Sequence, residues 1–292
     1  MLPARAFLDT RWLSGHPITQ HTYFMLDRRR LRDPNRERLE KSMETKTSYE
    51  AALSDVVIAN RILALEGVLD AFGHCSVRDP RDPNCYLMSR SLAPALVTDD
   101  DIVQHDLDNN ATTATGQKLY YERWIHGEIY KARPDVNAIV HSHSPTVVPF
   151  ASTKAPLRPL LHNAAFLGFG TPVFEIRKFV PDSDLMISTA ALGKALAESL
   201  GPTAQVVLLR GHGNVVVGPS MEITVYRAYY TEINARQQMN AMALGPNDVV
   251  YMNSAECITT DKIMQPSAER PWNLWKRKVQ RDMRRTAADD AT

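Results

Sequence analysis

Two histidines, His141 and His143, stand two residues apart at the end of the apolar run Ala138-Ile139-Val140. A strand alternates its faces with period two, so both imidazoles leave a strand end on the same side. Two imidazoles on one rigid face are half of a transition-metal site. The same pair would also suit an ordinary strand-to-loop junction, and so short a motif specifies no fold. Further ligands must come from elsewhere, and Glu122, His126 and His212 qualify. His212 lies between Gly211 and Gly213 directly after the apolar run ending at Leu209. Glycines there allow a tight turn while the imidazole projects from it. Glu122 opens a helical pattern that leads into the His141 strand, and His126 lies one turn later on the same face. Taken alone, His126 fits a buried structural histidine better than a ligand. Three imidazoles with one carboxylate suit a divalent ion such as zinc, manganese or iron.

The elements that must position these groups are legible from hydrophobic spacing. A helical stripe runs from Ser48 to Leu65 and loosens at Gly67. Cys75–Arg78 and Tyr86–Ser89 are expected to be paired strands around a turn rich in Asp and Pro, residues 79–84. Val97–Asp101 reads as a capped helical turn before a strand at Ile102–Asp106. A helix over Glu122–Ala132, stopped by Arg133-Pro134, precedes a strand over Asn137–His143. A short helix over Pro145–Ser152 and a loop-rich stretch over 155–182 come next. A helix over Leu185–Leu200 ends at Gly201-Pro202. Strands at Gln205–Leu209 and Val215–Val217 flank the His212 turn. A long helix over Met221–Leu244 and a last one over about 268–284 complete the chain.

The chain has 292 residues, 44% hydrophobic and 23% charged, which suits one globular domain with a sizeable core. Residues 1–46 form an N-terminal extension expected to be irregular, 47–285 a single domain, and 286–292 a disordered tail. The extension carries Arg28, Arg29, Arg30, Arg32, Arg36 and Arg38 without interleaved aromatics, which suits a solvated arm better than a nucleic-acid module. A net charge of +1 provides no global field for nucleic acid or membrane. No apolar run reaches the roughly 20 residues of a membrane span. Three cysteines without metal or disulfide spacing fit a reducing, cytoplasmic setting.

The succession Glu122, Trp124–Tyr130, Arg133–His143 and Arg210–Gly213 closely resembles the class II aldolase/adducin family over roughly residues 48–245. The resemblance implies a three-layer α/β/α domain with a central, largely antiparallel or mixed sheet. It also implies a divalent metal held by Glu122, His141, His143 and His212, with His126 outside the ligand set. Adducins keep the fold without the metal histidines, whereas this chain has all three. A homotetramer with active sites at subunit interfaces is implied as well.

Three loops depart from the sugar-phosphate aldolases of that family. Their Gly-Asn-x-Ser-x-Arg loop is Gly73-His74-Cys75-Ser76-Val77-Arg78 here, their Ser-Pro-Ser-Gly segment is Ser89-Arg90-Ser91-Leu92, and the serines before the glutamate are Tyr120 and Tyr121. Guanidinium groups pair with planar carboxylates and aromatic walls suit flat substrates. These loops resemble the decarboxylase branch, which acts on hydroxylated aromatic or heteroaromatic dicarboxylates or on a ring-opened muconate semialdehyde in aromatic catabolism. The segment from Arg270 to Arg277 also resembles that branch's C-terminal helix, which is expected to pack through Trp272 and Trp275 and to be able to close a site. The resemblance implies an anionic aromatic substrate bound by His74, Ser76, Ser89, Arg90, Ser91 and Tyr121. Glu122 or His74 would return a proton to carbon after loss of carbon dioxide. The alternatives are an aldolase acting on an unphosphorylated hydroxy-keto acid, an iron-dependent oxygenase on the same fold, and an adducin-like binding module.

Overall fold

The computed structural model describes residues 34–113 and 116–289. The chain divides into two units, Met1–Glu40 and Lys41–Thr292. The basic residues Arg28 to Arg32 lie outside the described part, and the first unit contributes only the opening turns of α1 (Pro34–Leu65). That helix starts well ahead of the expected Ser48, so 34–46 are helical rather than irregular. Proline suits a first helical turn, and the Glu, Arg, Leu and Lys that follow are good helix formers.

Seven strands form one sheet: β1 (His74–Arg78), β2 (Cys85–Ser89), β3 (Ile102–Asp106), β4 (Ala138–Ser142), β5 (Val173–Phe174), β6 (Val206–Leu209) and β7 (Gly213–Gly218). Their order is β3-β2-β1-β4-β7-β6-β5. Every pairing is antiparallel except β5 with β6, so the sheet is mixed. Helices α2 (Trp124–Ala132) and α4 (Ala190–Leu200) cover one face, and α1, α5 (Met221–Leu244) and α7 (Glu269–Asp289) the other. Alternation along the strands divides the core accordingly. Val140 and Val216 pack with the α1, α5 and α7 side chains, whereas their neighbours Ile139, Val215 and Val217 pack with those of α2 and α4. The result is the expected three-layer α/β/α arrangement, with a sheet buried on both sides.

Several boundaries differ from the sequence reading. Helix α4 begins at Ala190, because the Thr189 hydroxyl accepts a hydrogen bond from Leu192 N and caps it there. Residues 185–189 are not helical, and Leu185 has a φ of 70°. The loop-rich stretch contains a short 3-10 segment, His162–Phe169, and the edge strand β5. Helix α3 (Val148–Ser152) is shorter than expected. Helix α6 (Ser254–Met264) carries too weak an apolar stripe to be read from spacing, but the Asn253–Glu256 capping box marks its start. It packs against the 3-10 segment, where a Cβ on Gly168 would lie 2.5 Å from Cys257 Sγ. Helix α7 continues through Asp289, beyond the expected end, and residues 290–292 lie outside the described part. Trp272 and Trp275 are buried in the core on the α1 side, as expected.

Candidate metal centre

Four side chains from three parts of the chain meet at one end of the central strands. His141 is in β4, and His143 follows directly after that strand. His212 occupies the turn between β6 and β7, and Glu122 the turn that leads into α2. One ligand atom from each lies within 4.8 Å of all the others. His143 Nε2 and His212 Nε2 are 3.1 Å apart. Glu122 Oε2 is 3.4 Å from His212 Nε2 and 3.6 Å from His141 Nε2. The His212 turn needs both its glycines. Gly211 has a φ of 65°, and a Cβ on Gly213 would sit 2.1 Å from the carbonyl oxygen of Ser142.

Three of the four groups are held from behind. His141 Nδ1 donates to the Asn214 carbonyl at 3.2 Å, and His143 Nδ1 donates to Asp70 Oδ2 at 3.0 Å. Glu122 Oε1 accepts from the Ile187 amide at 2.8 Å. Each of these contacts spends the atom that points away and leaves Nε2 or Oε2 aimed at the common centre. Outer partners of this kind fix tautomer and orientation around bound metals.

The electrostatics fit a cation. His141 Nε2 is buried without a hydrogen-bond partner, a costly state for a lone pair unless something positive sits before it. Burial acts to raise the Glu122 carboxyl, but the His141 and His212 imidazoles that face it outweigh this and hold that carboxyl well below the usual range. Burial likewise acts to lower His212, and the Glu122 carboxylate reverses this into a net rise. For His141 burial prevails and the ring is pushed down. The donor set therefore contains a carboxylate and an unprotonated His141 facing the centre. A divalent ion matches it.

The site opens on a cleft of about 720 Å³. Of the residues expected to bind substrate, His74, Ser91 and Tyr121 line it, and Tyr121 is exposed. Ser76, Ser89 and Arg90 do not line it. Ser76 is buried and bonds His126 Nδ1 at 2.6 Å and the Tyr130 hydroxyl at 2.8 Å. Ser89 is buried within β2. Arg90 donates from Nε to Asp101 Oδ1 at 2.7 Å, so the expected substrate guanidinium is engaged in a structural pair. Tyr120 lines the cleft through its ring while its hydroxyl donates to the Leu92 carbonyl. Among the described residues, none of α7 lines the cleft. His126 is fully buried and stays outside the ligand cluster.

Spacing gave no sign of three other residues. Lys118 is exposed and lines the cleft, which Arg90 does not. Asp70 holds His143, and the sequence offers only an Asp three residues before Gly73. Glu232 lies far along the chain on α5, where it accepts from Ser144 Oγ at 2.8 Å and from Thr146 N at 3.1 Å. It thereby fixes the loop directly after His143.

Comparison with known proteins agrees with this geometry. The family model described as Class II Aldolase and Adducin N-terminal domain matches residues 54–239. The decarboxylase tropJ of Talaromyces stipitatus is 39% identical over 240 residues, which cover 75% of this chain and 90% of that protein. The 3,4-dihydroxyphthalate decarboxylase of Arthrobacter keyseri is 28% identical over 208 residues, covering 68% of this chain and 82% of that protein. Among solved structures, an L-fuculose 1-phosphate aldolase from Glaciozyma antarctica PI12 superposes with a TM-score of 0.67 at 22% identity, over 81% of this chain and 91% of that one. At that identity the likeness concerns the fold alone.

Proposed function

The chain belongs to the class II aldolase and adducin family, and on that premise we propose that it is a lyase that decarboxylates a hydroxylated aromatic or heteroaromatic dicarboxylate with a divalent metal. The observation that carries this reading is the convergence of His141 Nε2, His143 Nε2, His212 Nε2 and Glu122 Oε2 on one point beside a cleft with aromatic walls and an exposed lysine, Lys118. The two decarboxylase relatives cover most of the chain and support the reaction type. The ion is manganese, zinc or iron, all of which accept imidazole with carboxylate.

When bound, the ion supplies a Lewis acid that stabilises negative charge developing as carbon dioxide leaves, a contribution of several kcal/mol. The remaining work belongs to the chain. Lys118 faces the cleft and opposes the substrate's carboxylates. Tyr121 and Phe72 offer exposed rings against which a flat substrate packs. Ser91 and His74 add short-range polar contacts from the β2 and β1 sides. The breaking carbon–carbon bond leaves its electron pair on the ring carbon, and a proton must be delivered there. Glu122 and His74, both of which line the cleft, are the candidates for that delivery.

The test is anaerobic release of carbon dioxide from a panel of hydroxylated phthalates and pyridine dicarboxylates, using protein reconstituted with manganese, zinc or iron. Turnover that disappears in the H141A/H143A double variant is expected. Strict dependence on dioxygen, or carbon–carbon cleavage that yields an aldehyde and no carbon dioxide, would overturn the decarboxylase reading.

A further inference from the structure

Behind the cleft a line of four buried polar side chains runs inward from His74. His74 Nδ1 meets His126 Nε2 at 2.8 Å, His126 Nδ1 meets Ser76 Oγ at 2.6 Å, and Ser76 Oγ meets the Tyr130 hydroxyl at 2.8 Å. All four residues are at most 1% exposed. Each contact needs one hydrogen, and a neutral imidazole has one to give. The hydrogen on His126 lies either on Nε2 or on Nδ1, and each choice fixes the direction of the two histidine contacts.

In the first, Tyr130 donates to Ser76, Ser76 donates to His126 Nδ1, and His126 Nε2–H donates to His74 Nδ1. His74 then carries its own hydrogen on Nε2. In the second, the two histidine bonds are reversed: His74 Nδ1–H donates to His126 and His126 Nδ1–H donates to Ser76, after which either Ser76 donates to Tyr130 or Tyr130 donates to Ser76. Either way one hydroxyl hydrogen, that of Tyr130 or that of Ser76, has no acceptor among the described residues. Burial pushes the Tyr130 phenol well up, so that hydrogen is always present. A stranded buried donor costs the full desolvation of the group. The first arrangement places every hydrogen.

Resting on the decarboxylase reading, we propose that Tyr130, Ser76 and His126 are positioning residues that hold His74 as its Nε2–H tautomer, so that His74 binds a substrate carboxylate as a hydrogen-bond donor and is not the proton source. His74 lines the cleft and its Nδ1 is taken, so Nε2 is the nitrogen it offers. Were it to release that hydrogen, the charge would have to travel back along the line and end as a phenolate on buried Tyr130. The line therefore orients His74 and does not conduct protons. Delivery of the proton to carbon falls to another group.

The deciding measurement is nitrogen NMR of the zinc-loaded full chain labelled with 15N-histidine, with the His74 signals identified by their loss in His74→Gln. The expected result is a single His74 tautomer, protonated on Nε2 and bare on Nδ1. Phthalate, a planar dicarboxylate without a hydroxyl group, is expected to shift the Nε2 signal. A His74 protonated on Nδ1, or one indifferent to phthalate, would overturn the proposal. In His126→Ala the fixed tautomer should give way to averaged nitrogen signals; a His74 still locked on Nε2–H would remove the positioning role.

Turnover supplies a second arm. Glutamine keeps an N–H near the Nε2 position and cannot titrate, so His74→Gln should raise KM and lower kcat by less than about tenfold. Loss of a general acid costs about 10²–10⁴-fold, and a fall of that size would return His74 to the role of proton source. If the chain turns over no dicarboxylate, the decarboxylase reading fails while the wild-type NMR result still stands on its own.

Discussion

Asp70 accepts three hydrogen bonds, from Phe72 N at 2.9 Å, Gly73 N at 3.0 Å and His143 Nδ1 at 3.0 Å. Burial acts against its charge, but these bonds prevail and hold its carboxyl low. It thus orients a ligand on one side and the approach to His74 on the other. Asp70→Ala is expected to weaken metal binding about 10–100-fold, the usual effect of losing an outer partner. Chelator competition measures this, and unchanged affinity would mean that His143 needs no support. Asp101 gives a pH prediction at the same scale. It caps the 3-10 turn at Asp99–Asp101 through Thr98 and pairs with Arg90. Burial would raise its carboxyl, but Thr98 and Arg90 hold it below the ordinary carboxylate range. A lowered folded-state pKa gives stability that is present above the unfolded value near 4 and is lost as pH falls through the folded value. Asp101→Asn should therefore cost about 1 kcal/mol at pH 7, the usual worth of a cap, with a smaller difference from wild type near pH 3. Denaturant melts at the two pH values test this; a difference independent of pH would remove the charge from the account.

Turns and one remote helix set the site at the level of elements. The sheet brings β4 beside β7 and β1, with His141 opposite Val215 on one side and His74 on the other. Pairing alone does not aim His143, which lies beyond the end of β4. Glu232 on α5 does so through Ser144 and both polar groups of Thr146. Removing it leaves those donors buried or half-buried without an acceptor, a cost of about 1–3 kcal/mol. Glu232→Ala should therefore lower the midpoint of unfolding and weaken metal binding together, whereas Arg236→Ala, which removes the exposed partner of the same carboxylate, should leave metal affinity unchanged. Equal loss in both variants would place the effect in general stability of α5. The segment 183–187 acts similarly on Glu122. Leu185 accepts a φ of 70° and the Ile187 amide reaches Glu122 Oε1. A branched side chain in that region is uncommon and marks a segment held by its surroundings.

At the scale of the whole molecule, metal and fold are linked. The ligands come from residues 122 to 212, far apart along the chain, so an ion bound there is bound by the folded state alone. Saturation at 1,000 times the dissociation constant should add about 4 kcal/mol to stability, and a chelator should remove it. A melting curve indifferent to both would indicate that the four side chains do not hold an ion. The cleft carries exposed Phe72 and Tyr121 at its wall, and α7 lies on the opposite core within its own chain. The homotetramer implied by the family would place a neighbouring chain at such a cleft. Light scattering on purified protein should give about four times the 32.8 kDa chain mass; a monomer with full turnover would make the cleft complete by itself. No described helix is long and apolar enough to cross a membrane.

The sequence by itself determined six of the seven strands, most helix positions and which side chains were candidate ligands, because periodicity and tight-turn glycines are local properties. His141, His143, His212, Glu122 and His126 could be named as candidates from their neighbours, and the family order of motifs set His126 aside. It also singled out Gly73-His74, Ser89-Arg90-Ser91 and Tyr120-Tyr121 as departures from the sugar-phosphate aldolases. What only the tertiary structure decided is which polar groups meet. Arg90 was a plausible substrate cation until Asp101 proved to stand within reach, and Ser76 a plausible substrate contact until β1 turned it toward His126 and Tyr130. Lys118, Asp70 and Glu232 carry no local pattern; their roles arise from contacts across 73 to 88 residues for the last two. Hydrogen-bond direction is the furthest from the sequence. It depends on the count of donors and acceptors in a closed volume, and that volume exists only once the sheet and α2 have packed.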